Sequence, residues 1–133
     1  DRLRQLYRDC KALIVTSQSD FGMAAIEAAA CGKPIICLGE SGISETFGEQ
    51  ISPESVKSMA GRYGVYTKEC STTALKEAIK IINETKFDQE QLRNNALRFS
   101  KQAFFQNTRG FLMEANSLFR RDGILRLEQH LLG

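Results

Sequence analysis

The feature that most constrains this chain is a short apolar strand that leads almost directly into an alanine-rich helix. Residues 12–16 read ALIVT, a continuous run rich in β-branched side chains. Such a run is typical of a strand buried on both faces of a parallel sheet. The helix is predicted over residues 22–31 and is closed by Gly32. This order predicts an α/β fold with parallel strands.

Two further apolar runs predict two more strands, at residues 35–38 and 64–67. Helices are predicted over residues 3–10 and 72–83, and the polar stretch 47–62 is expected to be a surface excursion. The sequence therefore predicts three parallel strands plus helices, fewer strands than the roughly six of a doubly wound domain.

The C-terminal third is predicted to be helical. Asp88 is a good N-cap for a helix with Leu92, Ala96 and Phe99 on its inner face. The preceding helix is expected to face inward through its apolar positions, which are Leu75, Ala78, Ile79 and Ile82. A last helix, from residue 101 toward 120, carries an apolar stripe of Phe104, Thr108, Phe111, Leu112, Ala115 and Phe119.

The composition is that of one globular domain. Of 133 residues, 42% are hydrophobic and 26% are charged, which is enough for a compact core. The net charge of +2 is too small to predict a nucleic-acid partner or an anionic membrane surface. No apolar run reaches the roughly eighteen residues that a membrane span needs.

The cysteines and the single histidine predict no metal site. No cysteine pair has the C-x-x-C spacing, and His130 stands alone. We expect reduced, structural thiols in a cytoplasmic protein at all of the cysteine positions, which are Cys10, Cys31, Cys37 and Cys70.

The segment 16–46 is expected to carry the chemistry. Ligands of parallel α/β sheets bind outside the carboxyl ends of the strands, and the first turn of a helix there favours an anion. Gly22 leaves room for a ligand to approach the backbone. Glu27 is a charged residue inside an apolar helix, on the face of Met23 and Ala24 and below Asp20. Its carboxylate suits a vicinal diol such as a ribose.

Both acidic residues also have a simpler interpretation. Glu27 is then an ordinary exposed glutamate, and Asp20 is then only the N-cap of the helix. The residue types alone leave these alternatives open.

The stretch SDFGMAAIEAAACGKPIICLGESGISET, from Ser19 to Thr46, resembles the donor-site signature of the retaining group 1 (family 4) glycosyltransferases. That family commonly reads E-D-F-G-x-x-x-x-E-A-M-A-C-G-K-P-V-I-A, followed by G-x-G-G-x-x-E-T. The later segment KFDQEQLRNNALRFSKQAF is similar to the closing region of the family. The resemblance implies a GT-B fold, in which the C-terminal Rossmann-like domain binds the nucleotide sugar.

The resemblance also implies roles for individual residues. Glu27 matches the glutamate that binds the ribose, and Gly39, Gly42 and Glu45 match a second, less diagnostic loop. Ser19 falls on the first glutamate of the motif, the sugar contact, and is a departure from the family. The donor-binding residues implied for this chain are Ser19, Asp20, Phe21, Gly22, Met23, Ala24, Glu27 and Gly42.

The family implies transfer from a nucleotide-diphosphate sugar, of the GDP-mannose or UDP-glucose type, with retention of configuration. It implies no metal and no cofactor, and it places the catalytic and acceptor residues in an N-terminal domain that this chain does not include. The alternative that Ser19 favours is a non-catalytic interaction or regulatory module derived from a glycosyltransferase domain. A flavodoxin-like or response-regulator-like phosphate binder is a third possibility, but the acidic cluster of a response regulator is missing.

Residues 1–133 are accordingly expected to be part of a C-terminal nucleotide-sugar-binding domain, the second half of its doubly wound sheet. The opening DRLRQLY reads as the middle of a protein. The strand at 12–16 should then have an open edge, covered by the missing N-terminal part of the polypeptide or by another copy in a homo-oligomer. We expect the full-length enzyme to be cytoplasmic or peripheral at the inner membrane face, and this chain alone to be inactive.

Overall fold

The computed structural model describes residues 2–18, 20–49 and 58–122. Three features discussed above lie outside these ranges: Ser19, His130 and residues 50–57 of the predicted surface excursion. The described residues form helices and strands in the order α1 (Arg2–Asp9), β1 (Leu13–Ile14), α2 (Met23–Ala30), β2 (Ile35–Leu38), α3 (Gly42–Phe47), β3 (Ser58–Ala60), β4 (Gly64–Thr67), α4 (Thr72–Glu84), α5 (Gln89–Leu97) and α6 (Lys101–Asp122).

The strands form one open, mostly parallel sheet with the order β1-β2-β4-β3. Strand β2 runs parallel to both β1 and β4, with Ile35 opposite Leu13 and Ile36 opposite Val65. The predicted α/β class, with three parallel strands at these positions, is therefore confirmed. Because β1 and β2 are parallel, their carboxyl ends lie at the same edge of the sheet.

Strand β3 was not predicted. It pairs antiparallel with β4, and Met59 lies opposite Tyr66. The turn between the two strands is closed by a 2.8 Å hydrogen bond from the Gly61 N–H to the Gly64 carbonyl. Ser58–Ala60 has no β-branched residue and adjoins a polar stretch, so the sequence carries little strand signal there.

Strand β1 is shorter than predicted and is not buried on both faces. It covers only Leu13–Ile14, although the Val15 N–H still donates to the Ile36 carbonyl at 2.8 Å. Ile14 is exposed because α4, the helix on that face of the sheet, packs mainly on β3 and β4 and leaves β1 uncovered. Among the described residues, β2 is the only strand beside β1.

Helix α4 packs on the sheet through every fourth residue. Ala78 and Ile82 form a buried cluster with Ile36 of β2 and Val65 of β4. The predicted inward face of this helix is correct except for Ile79, which is 41% exposed. The buried positions 74, 78 and 82 make a stripe too narrow to include Ile79.

Helix α5 begins where the sequence predicts. The Asp88 carboxylate accepts the Glu90 N–H at 2.8 Å and the Gln91 N–H at 3.2 Å, which confirms it as the N-cap. Leu92 and Ala96 are buried as predicted, but Phe99 lies beyond the end of the helix.

The chain divides into two compact units between Arg98 and Phe99, and α6 belongs to the second. The Ser100 hydroxyl accepts the Ala103 N–H at 3.2 Å at the start of this helix. The predicted apolar stripe is present, but its large side chains are exposed, namely Phe104, Phe111, Leu112 and Phe119. No helix in the described ranges is both long and apolar enough to cross a membrane.

Candidate functional site

The N-terminus of α2 lies just after the carboxyl end of β1, and Gly22 caps it. Gly22 has φ 78° and ψ 55°, in the left-handed region that favours glycine. Its carbonyl accepts the N–H groups of Ala25 and Ile26, at 2.9 and 3.2 Å. The N–H groups of Met23 and Ala24 occupy first-turn positions that have no acceptor within the helix. These two amides and the helix dipole make the turn suitable for an anion.

Helix α3 holds this turn in place from the next loop. Gly42 lies against the backbone carbonyl of Asp20, where an added Cβ would overlap that carbonyl. A Cβ on Gly22 would lie 2.5 Å from Cγ1 of Ile43. The Thr46 hydroxyl donates to the Phe21 carbonyl at 3.1 Å. Gly42 therefore allows close contact between the backbones of the two segments, and this contact holds residues 20–22 in place.

The carboxyl end of β2 is tied to the same helix. The Ser41 hydroxyl donates to the Leu38 carbonyl at 2.7 Å, and the Ser44 hydroxyl donates to the Gly39 carbonyl at 2.6 Å. The sequence predicted only a permissive glycine loop here and missed α3. The available signals were Ser41, a residue type that favours N-caps, and Gly48, which ends the helix with φ 70°.

The exposed face of α2 carries the predicted ribose contact. Met23, Ala24 and Glu27 are exposed, whereas Ala25 and Ala28 are fully buried. Glu27 therefore lies on the same face as the first-turn amides, as the helical spacing predicts.

Tyr7 of α1 is the hydrogen-bond partner of Glu27. Its hydroxyl donates to Oε2 of Glu27 at 2.9 Å. Burial is the largest cause that raises the pKa of Tyr7, and the adjacent Glu27 carboxylate raises it further. No local pattern predicts this contact, since helical spacing places Tyr7 only among the apolar positions of α1.

The other predicted site residues surround the same turn. Asp20 is exposed, and because Gly22 is the N-cap, the interpretation of Asp20 as the cap of α2 is wrong. Phe21 is 44% exposed and Met23 is 62% exposed, so both side chains can contact a ligand. Ser19 lies outside the described residues.

The turn and α2 carry acidic side chains and no basic ones. Asp20 and Glu27 are the charged residues between 20 and 30, so an anion at this turn would have backbone amides, and no basic side chain of the turn or of α2, as its partners. Within the described ranges, no group of three or more histidine, cysteine, aspartate or glutamate residues is arranged to hold a metal ion.

The cysteines are free thiols in the structure. Cys37 in β2 is buried, and burial raises its pKa to about 12. Cys10 and Cys31 are partly buried and Cys70 is exposed. The pKa of Cys37 keeps it protonated at neutral pH, so it is not a nucleophile there.

Comparison with known proteins gives a family. A family model described as "Glycosyl transferases group 1" matches residues 1–99 of the chain. The matched region contains Tyr7, the Gly22 turn, Glu27 and α3. No curated protein and no solved structure was found to match the chain.

Proposed function

We propose that this chain, which belongs to the group 1 glycosyl transferases, forms part of the binding site for a nucleotide-diphosphate sugar donor. The family implies glycosyl transfer as the reaction. The proposal assigns the donor to the turn between β1 and α2 and to the exposed face of α2.

The observation that carries the proposal is the pairing of an anion-binding helix terminus with a carboxylate on the same face. The first-turn N–H groups of Met23 and Ala24 follow the Gly22 cap and have no acceptor within the helix, which suits the diphosphate. Glu27 lies one turn further along the same exposed face. This separation suits a ligand that has its phosphates at the helix terminus and its ribose beside the helix.

The carboxylate of Glu27 has capacity for the two hydroxyls of a ribose. Oε2 already accepts the Tyr7 hydroxyl, and the described residues give Oε1 no hydrogen-bond donor. A carboxylate has about four lone-pair sites, so one such bond leaves room for a vicinal diol. We infer that Tyr7 orients the carboxylate and that Glu27 anchors the ribose.

The finer assignments rest on the family motif. We propose transfer with retention of configuration from a GDP-mannose-type or UDP-glucose-type donor, without a metal ion. Asp20, Phe21 and Ser19 would face the sugar. Strand β1 has β2 as its only described neighbour, and we infer that polypeptide outside residues 1–133 pairs with the other edge and supplies the remaining donor contacts.

A second candidate function is a non-catalytic module that keeps the fold without transferring sugar. Ser19 favours it, because a serine stands where the family motif has the sugar-contacting glutamate. A hydroxyl is shorter than a carboxylate and carries no charge, which weakens contact with the donor sugar.

Titration with UDP and GDP, followed by backbone amide NMR, tests the proposed function. We expect the largest shifts at the amides of Gly22, Met23, Ala24 and Glu27, and expect one nucleotide to bind more tightly. Binding without turnover of the corresponding nucleotide sugar by the intact protein would favour the non-catalytic module. Nucleotide shifts confined to other parts of the chain would contradict the proposal.

A further inference from the structure

A basic cleft lies at the amino-terminal edge of the sheet, opposite the edge that holds the Gly22 turn. Its volume is about 290 Å³. Lysine side chains line it from three places: Lys11 before β1, Lys33 before β2, and Lys86 after α4. Phe87 and Pro34 give the cleft apolar wall area.

The parallel pairing of β1 and β2 brings two of these lysines side by side. Leu13 and Ile35 are register partners, and Lys11 and Lys33 each precede them by two residues. The Leu13 N–H donates to the Pro34 carbonyl at 3.0 Å, so the two chain segments stay adjacent ahead of the strands. Neighbouring strands are about 4.8 Å apart, which places these cationic residues close together.

A fourth cation, Arg93 of α5, lies next to two residues that line the cleft, Gly32 and Gln89. A Cβ added to Gly32, which lines the cleft, would lie only 2.9 Å from Nη2 of Arg93, so the guanidinium lies beside Gly32. The same guanidinium donates to Oε1 of Gln89, another lining residue, at 3.2 Å.

The positive charge of the cleft is not balanced by the described residues around it. No carboxylate of the described residues forms an ion pair with Lys11, Lys33, Lys86 or Arg93. Glu84 pairs with Lys80 at 3.9 Å, and the Asp88 carboxylate is engaged with the backbone of α5.

The C-terminus of α4 neutralises only a fraction of this charge. A helix C-terminus carries about half a negative charge, against four positive side chains. Lys11 Nζ donates to Oδ1 of Asn83 at 3.2 Å, which is a neutral partner. Like charges that converge without a counterion repel one another, so an anion in the cleft would stabilise this arrangement.

We propose that this cleft binds the phosphoryl group of a small phosphorylated compound. Lysine ammonium groups are established phosphate-binding groups, and the described residues that line the cleft include no acidic one to repel an anion. The volume lies near the lower end of ligand pockets, roughly 300 Å³, which suits a compound the size of a sugar phosphate. Phe87 and Pro34 contact the uncharged part of that compound.

Titration of the intact protein with glucose 1-phosphate and with inorganic phosphate tests the proposal. Backbone amide shifts should cluster at Gly32, Lys33 and Asn83, and not at Gly22–Ala24. Lys33→Gln should weaken binding of the phosphate ester by about tenfold or more, since it removes a charge-assisted hydrogen bond. The double change Lys11→Gln with Lys33→Gln should abolish detectable binding.

Lys76→Gln is the matched control, because it makes the same charge change on the exposed side of α4. The proposal is overturned if Lys76→Gln and Lys33→Gln weaken binding equally, which would indicate general charge screening. Binding only to phosphatidic acid vesicles, and not to the soluble compounds, would assign the cleft to a lipid headgroup and would also overturn it. Because the readout amides differ from those at the Gly22 turn, failure here leaves the donor-site proposal unaffected.

Discussion

The Tyr7 hydroxyl of α1 donates a 2.9 Å hydrogen bond to Oε2 of Glu27 in α2, across twenty residues of sequence. Burial and the neighbouring carboxylate raise the pKa of Tyr7, so its hydroxyl stays protonated and can donate throughout the neutral range. The bond restricts the rotamers of a glutamate that otherwise lies on an exposed helix face. Tyr7 is therefore a positioning residue for the proposed ribose contact.

We expect Tyr7→Phe to lower donor affinity by about two- to tenfold, corresponding to roughly 0.5–1.5 kcal/mol for one hydrogen bond. Isothermal titration calorimetry with the preferred nucleotide diphosphate measures this change in affinity. Tyr63→Phe, in the β3–β4 turn, removes the same hydroxyl away from the site and should leave the affinity unchanged. Equal affinities of Tyr7→Phe and the parent protein would show that Tyr7 does not orient Glu27.

The Gly22 turn depends on a left-handed backbone and on close packing against Ile43. Gly22→Ala should lower the free energy of unfolding by about 1–2 kcal/mol for the backbone alone, with a further loss from contact with Ile43. It should also weaken donor binding, because the first-turn amides shift. Thermal unfolding and titration together measure both effects.

Gly48→Ala is the matched control for this change. Gly48 has φ 70°, and an added Cβ there meets no atom of the described residues within 4 Å. Gly48→Ala should therefore lower the free energy of unfolding through backbone strain alone, without a loss of packing. Donor affinity should not change. If the two variants lose equal stability and bind the donor equally well, the close contact between Gly22 and Ile43 has no functional consequence.

Ser19 is the position where the motif departs from the family. We expect Ser19→Glu to leave donor binding intact and to increase turnover of the intact enzyme, because it restores a charged contact to the sugar. Steady-state rates with the preferred nucleotide sugar measure this. Loss of activity in a protein that remains folded would show that the pocket around Ser19 differs from that of the family.

The thiols should differ in reactivity according to their burial. Cys70 is exposed and should react first with a thiol reagent at neutral pH, whereas Cys37 should react slowest. The folded-state pKa of Cys37 is raised from 9.0 to about 12. Its contribution to stability is therefore complete below pH 9.0 and is lost as the pH rises toward 12. A disulfide detected in the denatured protein, or fast native labelling of Cys37, would contradict this.

Local patterns in the sequence were sufficient to predict much of the fold. Strands β2 and β4 and the Asp88 cap lie at the predicted residues, because a buried apolar run or a capping side chain is a short-range signal. Helix α3 and strand β3 were missed because each is too short to show its period. The exposure of Ile14 and Ile79 could not be predicted, since it depends on where α4 crosses the sheet.

The candidate site could be predicted only where its geometry follows from local spacing along the chain. Helical spacing was enough to assign Glu27 to the face of Met23 and Ala24. The contacts made by Tyr7, Ile43 and Thr46 bring together segments far apart in sequence, and no local pattern encodes them. The basic cleft was missed because Lys11, Lys33 and Lys86 meet only through the pairing of β1 with β2 and the end of α4.

Donor affinity of Glu27 variants tests the central claim, that α2 carries the ribose anchor of a nucleotide-sugar site. Calorimetric titration of the preferred nucleotide diphosphate should show losses of about 1.5–3 kcal/mol for Glu27→Ala and Glu27→Gln, as expected for a charge-assisted hydrogen bond. Glu77→Ala on the exposed side of α4 should bind like the parent protein. If both Glu27 variants remain folded and bind the donor with unchanged affinity, the ribose anchor is elsewhere and the proposed site is wrong.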